Sequence, residues 1–375
     1  MDVDVNKELP KGLTYSLADF HLYRIGLCLT KDKKLLKKRK AFNNPLIVFI
    51  VFLIFLSLKT CALSYNDDTD RKVFVILGDF GHFMGIRVDY DIMFILITLL
   101  AIFSQIIYWY NFRIGVEPTF LRLFQMMSGS ISPKSIGLVD GYQILKLIRQ
   151  MKLMCRITRP NAQYLIPFTG LFTAVIIFFT YADITTAILF GVPNAIFFAL
   201  YAVHFWNVVL YQIIYFYFIC KYLKLKINEL HEKIEIVGRK RCLFGRIPEI
   251  LQRFDSIYCE INEYNQTFWS KFLLIFWLTF GSATVLMIYV TAFHSMALPI
   301  KLIFFYVLVI LIIIFLFVIL TTSSLNAKAN SSYKSLNRLI ISFSVLHRRQ
   351  TYFRINTKIK VLVLSCWKIL TLPFY

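Results

Sequence analysis

PIKLIFFYVLVILIIIFLFVILT, residues 299–321, is a run of 23 residues whose single charge is Lys301. A helix of about 20 such residues crosses the roughly 30 Å hydrocarbon core of a bilayer. A soluble domain would have to bury the run on every side. Five more apolar runs precede it, at 45–63, 92–112, 164–181, 192–220 and 271–293. The second carries no charge and finishes in Tyr and Trp, the side chains that settle at a membrane interface. Only 182–191 separates the third run from the fourth, and Asp183, Gly191 and Pro193 are expected to break the helix between them.

Composition agrees with this reading. Of 375 residues, 58% are hydrophobic and 17% aromatic, with 37 Phe and 21 Tyr, and the mean hydropathy is +0.64. The expected fold class is all-α, a polytopic membrane helix bundle with six transmembrane helices. The first 44 residues are polar and lack an apolar core ahead of a small-residue cleavage site, so the first span is expected to act as the targeting signal.

Orientation follows from Lys and Arg, which are retained on the cytoplasmic side. Residues 1–44, 113–163, 221–269 and 322–375 hold ten, eight, nine and nine of them, against three in 64–91 and none in 182–191 or 294–298. The expected topology has a cytoplasmic N-terminal segment (1–44), a six-helix domain (45–321) and a basic amphipathic cytoplasmic tail (322–375). The net charge of +21 is then largely a consequence of topology. The same holds for KDKKLLKKRK at 31–40: next to a first span it retains that segment inside and contacts anionic lipid. No basic segment carries an RNA-binding signature with interleaved aromatics, so no nucleic-acid partner is expected.

The seven cysteines are isolated and odd in number, which gives neither a disulfide framework nor a Cys-x-x-Cys metal pair. His-Glu-x-x-His, Walker A and Gly-rich dinucleotide motifs are absent from the sequence. No catalytic, cofactor or metal residues are assigned, and no enzyme is expected. Sequons at Asn265 and Asn330 both fall on the cytoplasmic side of this topology, so sugar on either would reverse it.

The fourth span holds the candidate site. Tyr201, His204, Asn207, Tyr211 and Tyr215 recur every three or four residues and lie in one stripe about 120° wide at 100° per residue. With the N-terminus inside, Tyr201 to Asn207 occupy the outer and middle parts of this helix. Such a stripe can line an extracellular ligand cavity, with Tyr201, His204, Asn207 and Tyr211 as ligand-binding residues, or it can join helices by hydrogen bonds. Thr279, Ser282 and Thr284 around Gly281 give the fifth span a small, hydroxylated surface suited to close packing. Asp183 with Thr185 and Thr186 marks an outer turn, as a solvated loop acid or at the mouth of the cavity.

INELHEKIEIV (227–237) and IPEILQRFDSIYCEINEY (247–264) are amphipathic, the second with Ile250, Phe254, Ile257 and Ile261 at helical spacing. Spans four and five are therefore expected to continue as helical cytoplasmic extensions whose apolar faces need partners.

The layout resembles a known family. The carrying features are the N-inside topology, FHLYRIGLCL at 20–29, the long cytoplasmic region between spans four and five, SSLNAKANSSYKSLNRLI after span six, and VLHRRQTYFRINTKIKV at 345–361. They are similar to the arthropod gustatory receptor branch of the insect chemoreceptor superfamily. The resemblance covers nearly all of the chain and rests on the layout more than on any one string. It implies a seven-span, ligand-gated cation channel in the plasma membrane, opened by a small-molecule tastant and built as a homo- or hetero-tetramer of related receptor subunits around the seventh helices. The family's seventh-span motif, T-Y, five apolar residues, Q-F, has no counterpart in these residues. The resemblance therefore predicts a chain lacking its pore helix, with the missing span following Tyr375. The alternative is a multi-span transporter or channel accessory subunit. Against the transporter, the sequence shows no pair of matching Gly/Pro-interrupted halves.

In that setting INTKIKVLVLSCWKILTLPFY (355–375) is the amphipathic approach to a span. Its apolar run of twelve residues is interrupted by Lys368 and stopped by Pro373, and Ile355, Ile359, Leu362, Cys366 and Leu370 share one face.

Overall fold

Where side chains are apolar on all sides, a backbone can satisfy its own N–H and C=O groups locally only as a helix. The runs above behave accordingly in a computed structural model that describes residues 47, 49–58, 61, 87–114, 123, 137, 144–150, 153, 184–196, 201, 211–239, 246–295 and 298–346. All regular structure among these residues is helical.

The principal helices are α1 (Phe49–Leu58), α2 (Arg87–Ile114), α3 (Tyr211–Arg239), α4 (Ile247–Tyr264), α5 (Ser270–Ile275), α6 (Ser282–Phe293) and α7 (Leu298–Leu346). Pro248 lies in the first turn of α4, where its missing N–H leaves no bond unmade. From there, π-helical turns at Asn265–Trp269 and Phe276–Gly281 join α4, α5 and α6 into one rod. Among the described residues, two helical stretches are long and apolar enough to cross a membrane, Ser270–Phe293 and Phe304–Ser342. Phe49–Leu58 and Asp91–Ser104 are shorter apolar helices. The expected span 164–181 lies outside the described residues.

Two sequence expectations meet clear outcomes here. The amphipathic extensions exist: α3 buries Ile227, Leu230, Ile234 and Val237, and α4 buries Ile250, Phe254, Ile257 and Ile261. These stripes cover one another and α7, since α3 packs along both α7 and α4. The expected break at Gly191 and Pro193 is absent. Helical backbone runs through 184–196, with a π turn at Ala187–Gly191. The ring of Pro193 would press on the carbonyl of Leu189 in a regular α-helix, and a wider turn at that carbonyl relieves the clash.

The expected boundary at 321/322 is likewise not a helix end. α7 continues through it for 49 residues in all. Its inner side stays largely apolar, with Leu311, Val318, Leu325, Leu336 and Leu339 buried and Ser332 a buried polar exception. Its outer side changes character instead. Leu302, Phe305, Ile313, Leu316 and Leu320 are exposed before the boundary, and Ser323, Ser324, Asn330, Ser331, Lys334 and Arg338 after it. The rod 247–293 changes in the same way: Gln252, Asp255, Ser256 and Glu263 are exposed in α4, whereas Leu274, Leu278, Val285 and Ile288 are exposed further on.

Aromatic stacking fills the interior. Trp269, 2% exposed, meets Phe216 at 4.9 Å and Phe272 edge-on at 5.8 Å. Phe276 stacks on Phe280 at 4.7 Å, and Trp277 stands edge-on to Phe315 of α7 at 4.6 Å. The hydroxyls expected to serve close packing turn inward on their own helix. Thr279, Ser282 and Thr284 donate to the carbonyls of Ile275, Leu278 and Phe280, so these hydroxyls do not link helices. A Cβ on Gly281 would meet Phe315 at 3.7 Å, an ordinary contact.

Candidate functional site

Within the expected ligand stripe, the described contacts centre on Tyr201. It is 3% exposed. Its ring stacks on Phe52 of α1 at 4.0 Å and 13°, meets Phe49 edge-on at 6.0 Å, and lies 6.1 Å from Phe94 of α2. Its hydroxyl is 2.9 Å from Thr98 Oγ1. Thr98 already donates to the Phe94 carbonyl at 2.6 Å, so the Tyr201 hydroxyl is the donor to Thr98. One side chain thus ties the fourth apolar stretch to α1 and α2.

His204 and Asn207 lie outside the described residues. Tyr211 begins α3, and its side chain lies outside the description. Tyr215 is fully buried, 6.3 Å from the Trp269 ring centroid.

Sequence reasoning passed over Gln212. It is 0% exposed, and neither its amide oxygen nor its amide nitrogen has a hydrogen-bond partner among the described residues. A buried amide left in this state costs about 1–3 kcal/mol. The available signal was a lone carboxamide in the otherwise apolar and aromatic stretch YQIIYFYFIC.

A second polar centre lies on the amphipathic extensions. Glu260 of α4 accepts from Tyr222 at 2.9 Å, from Lys226 at 2.6 Å and from Tyr264 at 3.4 Å. The Lys226 and Glu260 side chains are each 12% exposed, and Lys226 lies 4.8 Å from the Tyr222 ring centroid. Gly137 closes over this group with φ +82°; a Cβ there would stand 3.2 Å from Lys226 Cε. The signal for this centre was the placement of Tyr222 with Lys226, and of Glu260 with Tyr264, four residues apart on two apolar-striped helices. Spacing shows that each pair shares a face, and only the crossing of α3 with α4 makes them meet.

Two cross-helix pairs mark levels along the bundle. His294, just past α6, lies 3.1 Å from Asp89 in the first turn of α2. Lys271 of α5 lies 5.9 Å from the ring centroid of Tyr110, near the other end of α2.

Among the described residues, no group of three or more His, Cys, Asp or Glu could hold a metal. No protein-family model, curated protein or solved structure matches the chain.

Proposed function

We propose that the chain is a chemosensory receptor subunit of the gustatory type, a six-span plasma-membrane helix bundle with a cytoplasmic N-terminus. It binds a small-molecule tastant in an outer cavity and takes part in a ligand-gated cation channel with related subunits. The observation that carries the membrane part is the spacing of the two cross-helix pairs. Asp89 to Tyr110 along α2 and His294 to Lys271 along the rod each span roughly 32–35 Å at 1.5 Å per residue. That matches a bilayer core of about 30 Å with its interfaces. The change of exposed character on α7 falls at Ser324, which accepts from Lys224 of α3, and on the rod near Lys271. Three helices thus leave the apolar belt together. The receptor part rests on the chain-long layout set out above.

In this reading Tyr201 supports the cavity wall, because its ring and hydroxyl are already engaged with α1 and α2. Ligand contact falls to His204, Asn207 and Tyr211. The ligand opens the channel by binding the open arrangement more tightly than the closed one, the only way a ligand shifts such an equilibrium.

The test is electrical recording from cells expressing the chain together with related receptor subunits, challenged with sugars, bitter compounds and amino acids. An evoked cation current is expected. His204→Ala and Asn207→Ala should shift its dose response at unchanged surface expression. Uptake of a solute without current would replace this reading with a transporter.

A further inference from the structure

The contact between His294 and Asp89 stands apart from the other ion pairs of the bundle. Every other pair between described residues lies on α3 and α4. His294 Nε2 lies 3.1 Å from Asp89 Oδ2 at the opposite end, and it joins two helices far apart in sequence.

Each partner occupies a helix end that suits its charged form. Asp89 is in the first turn of α2, where unpaired N–H groups present partial positive charge and favour an anion. His294 is the C-cap of α6, its backbone N–H donating to the Val290 carbonyl at 3.2 Å, and the free carbonyls of a helix end favour a cation. The two side chains are 28% and 26% exposed. They are open enough to exchange protons with solvent and covered enough for their pairing to count.

The contact also falls at a corner of the fold. α6 ends at Phe293 and α7 begins at Leu298, so His294 sits where the rod gives way to α7. α2 packs along the rod from the π turn at Asn265–Trp269 to α6. The other groups at this corner have steady charges or none. Tyr289 of α6 stands edge-on to the His294 ring at 5.7 Å. Asp91 of α2 is buried, and Lys301 is half-buried in the first turn of α7. Among the described side chains of this corner, His294 alone is an imidazole, the group that changes charge near neutrality.

We infer that His294 and Asp89 form a pH-operated latch, closed as an imidazolium–carboxylate pair in acid and released when the imidazole is neutral, that fastens α2 to the corner between the rod and α7. The folded arrangement favours the protonated imidazole. The latch therefore contributes stability in acid, and that stability is lost as rising pH removes the imidazole proton. The ligand of this site is a proton from the compartment that its end of the bundle faces. The inference rests on two helix ends and the contact between them; it holds whichever way the bundle is oriented and whether or not the chain is a receptor subunit.

The test is a double-mutant cycle on the full chain purified in detergent, with Asp89→Asn, His294→Gln and both together. Thermal unfolding is read at about pH 5.5 and about pH 8, on either side of the imidazole range. Comparing the two backgrounds cancels every other titrating group. At the lower pH, Asp89→Asn should reduce the unfolding temperature of the chain by about 2 °C, and should have almost no effect in the His294→Gln background. At the higher pH, the two backgrounds should respond alike. His294→Lys supplies a permanent cation, so Asp89→Asn should then cost the same at both pH values. Coupling between the two positions that is equal at both pH values, or absent at both, would overturn the latch. If Asp89→Asn does not fold, His294→Gln alone still decides: its destabilisation should be confined to the lower pH, and an equal loss at both would count against the inference.

Discussion

At the scale of single residues, Gln212 separates stability from function. Its amide is fully buried without a hydrogen-bond partner among the described residues, so Gln212→Leu should raise the unfolding temperature in detergent. The gain corresponds to about 1–3 kcal/mol, because an apolar side chain of similar size removes the desolvation cost. If the amide serves a bound tastant, the same variant loses the evoked current; a fall in unfolding temperature would show that the amide already has a partner. Cys259 gives a second test. Its thiol is held above the usual range by the protein around it and, secondarily, by the Asp255 carboxylate four residues earlier. Less thiolate is then present at a given pH, so alkylation near pH 8 should be slow and should accelerate as pH rises through the elevated value. Asp255→Asn removes the negative charge and should speed labelling at pH 8; no change would mean that burial alone sets the shift. Glu260 shows what residue-level reading misses, since its three partners come from two helices and only one of them is near in sequence.

At the scale of elements, the π turns of the rod 247–293 matter most. A π turn accommodates one extra residue locally while the helix on each side keeps its facing. Deleting exposed Leu278, inside the turn Phe276–Gly281, should restore regular α-helix and leave Met287, Val290 and Thr291 buried. Deleting equally exposed Val285, in regular α6, should rotate those three residues by about 100° and break the packing on α2 and α7. Surface expression and elution profile should therefore be close to wild type for the first deletion and poor for the second. Equal damage from both would remove the π turns from this account. Helix existence was legible here from apolar period and length, as in Ile250, Phe254, Ile257 and Ile261. The passage of helix through Gly191 and Pro193 was not, because breaker residues state a local cost and the π turn that offsets it is a backbone adjustment with no sequence signature of its own.

At the scale of the whole molecule, topology can be read with two exposed cysteines, Cys61 and Cys259. In variants that retain one of them, a membrane-impermeant maleimide should label Cys61 on intact cells and Cys259 only after permeabilisation. The reverse pattern would turn the bundle over and place Tyr201 at the inner end. The sequence by itself determined what depends on neighbours along the chain: helical class, the apolar stretches, the amphipathic extensions of α3 and α4, and the asymmetry of Lys and Arg. These follow from hydropathy and a period of 3.6 residues. The tertiary structure alone decided what depends on helices meeting. It engaged Tyr201 with Thr98 and Phe52, left the Gln212 amide without a hydrogen-bond partner among the described residues, and gathered Tyr222, Lys226 and Tyr264 around Glu260. Hydropathy and helical period are properties of one chain segment, whereas a contact between segments depends on the rotation and level of two helices, which neither segment encodes alone.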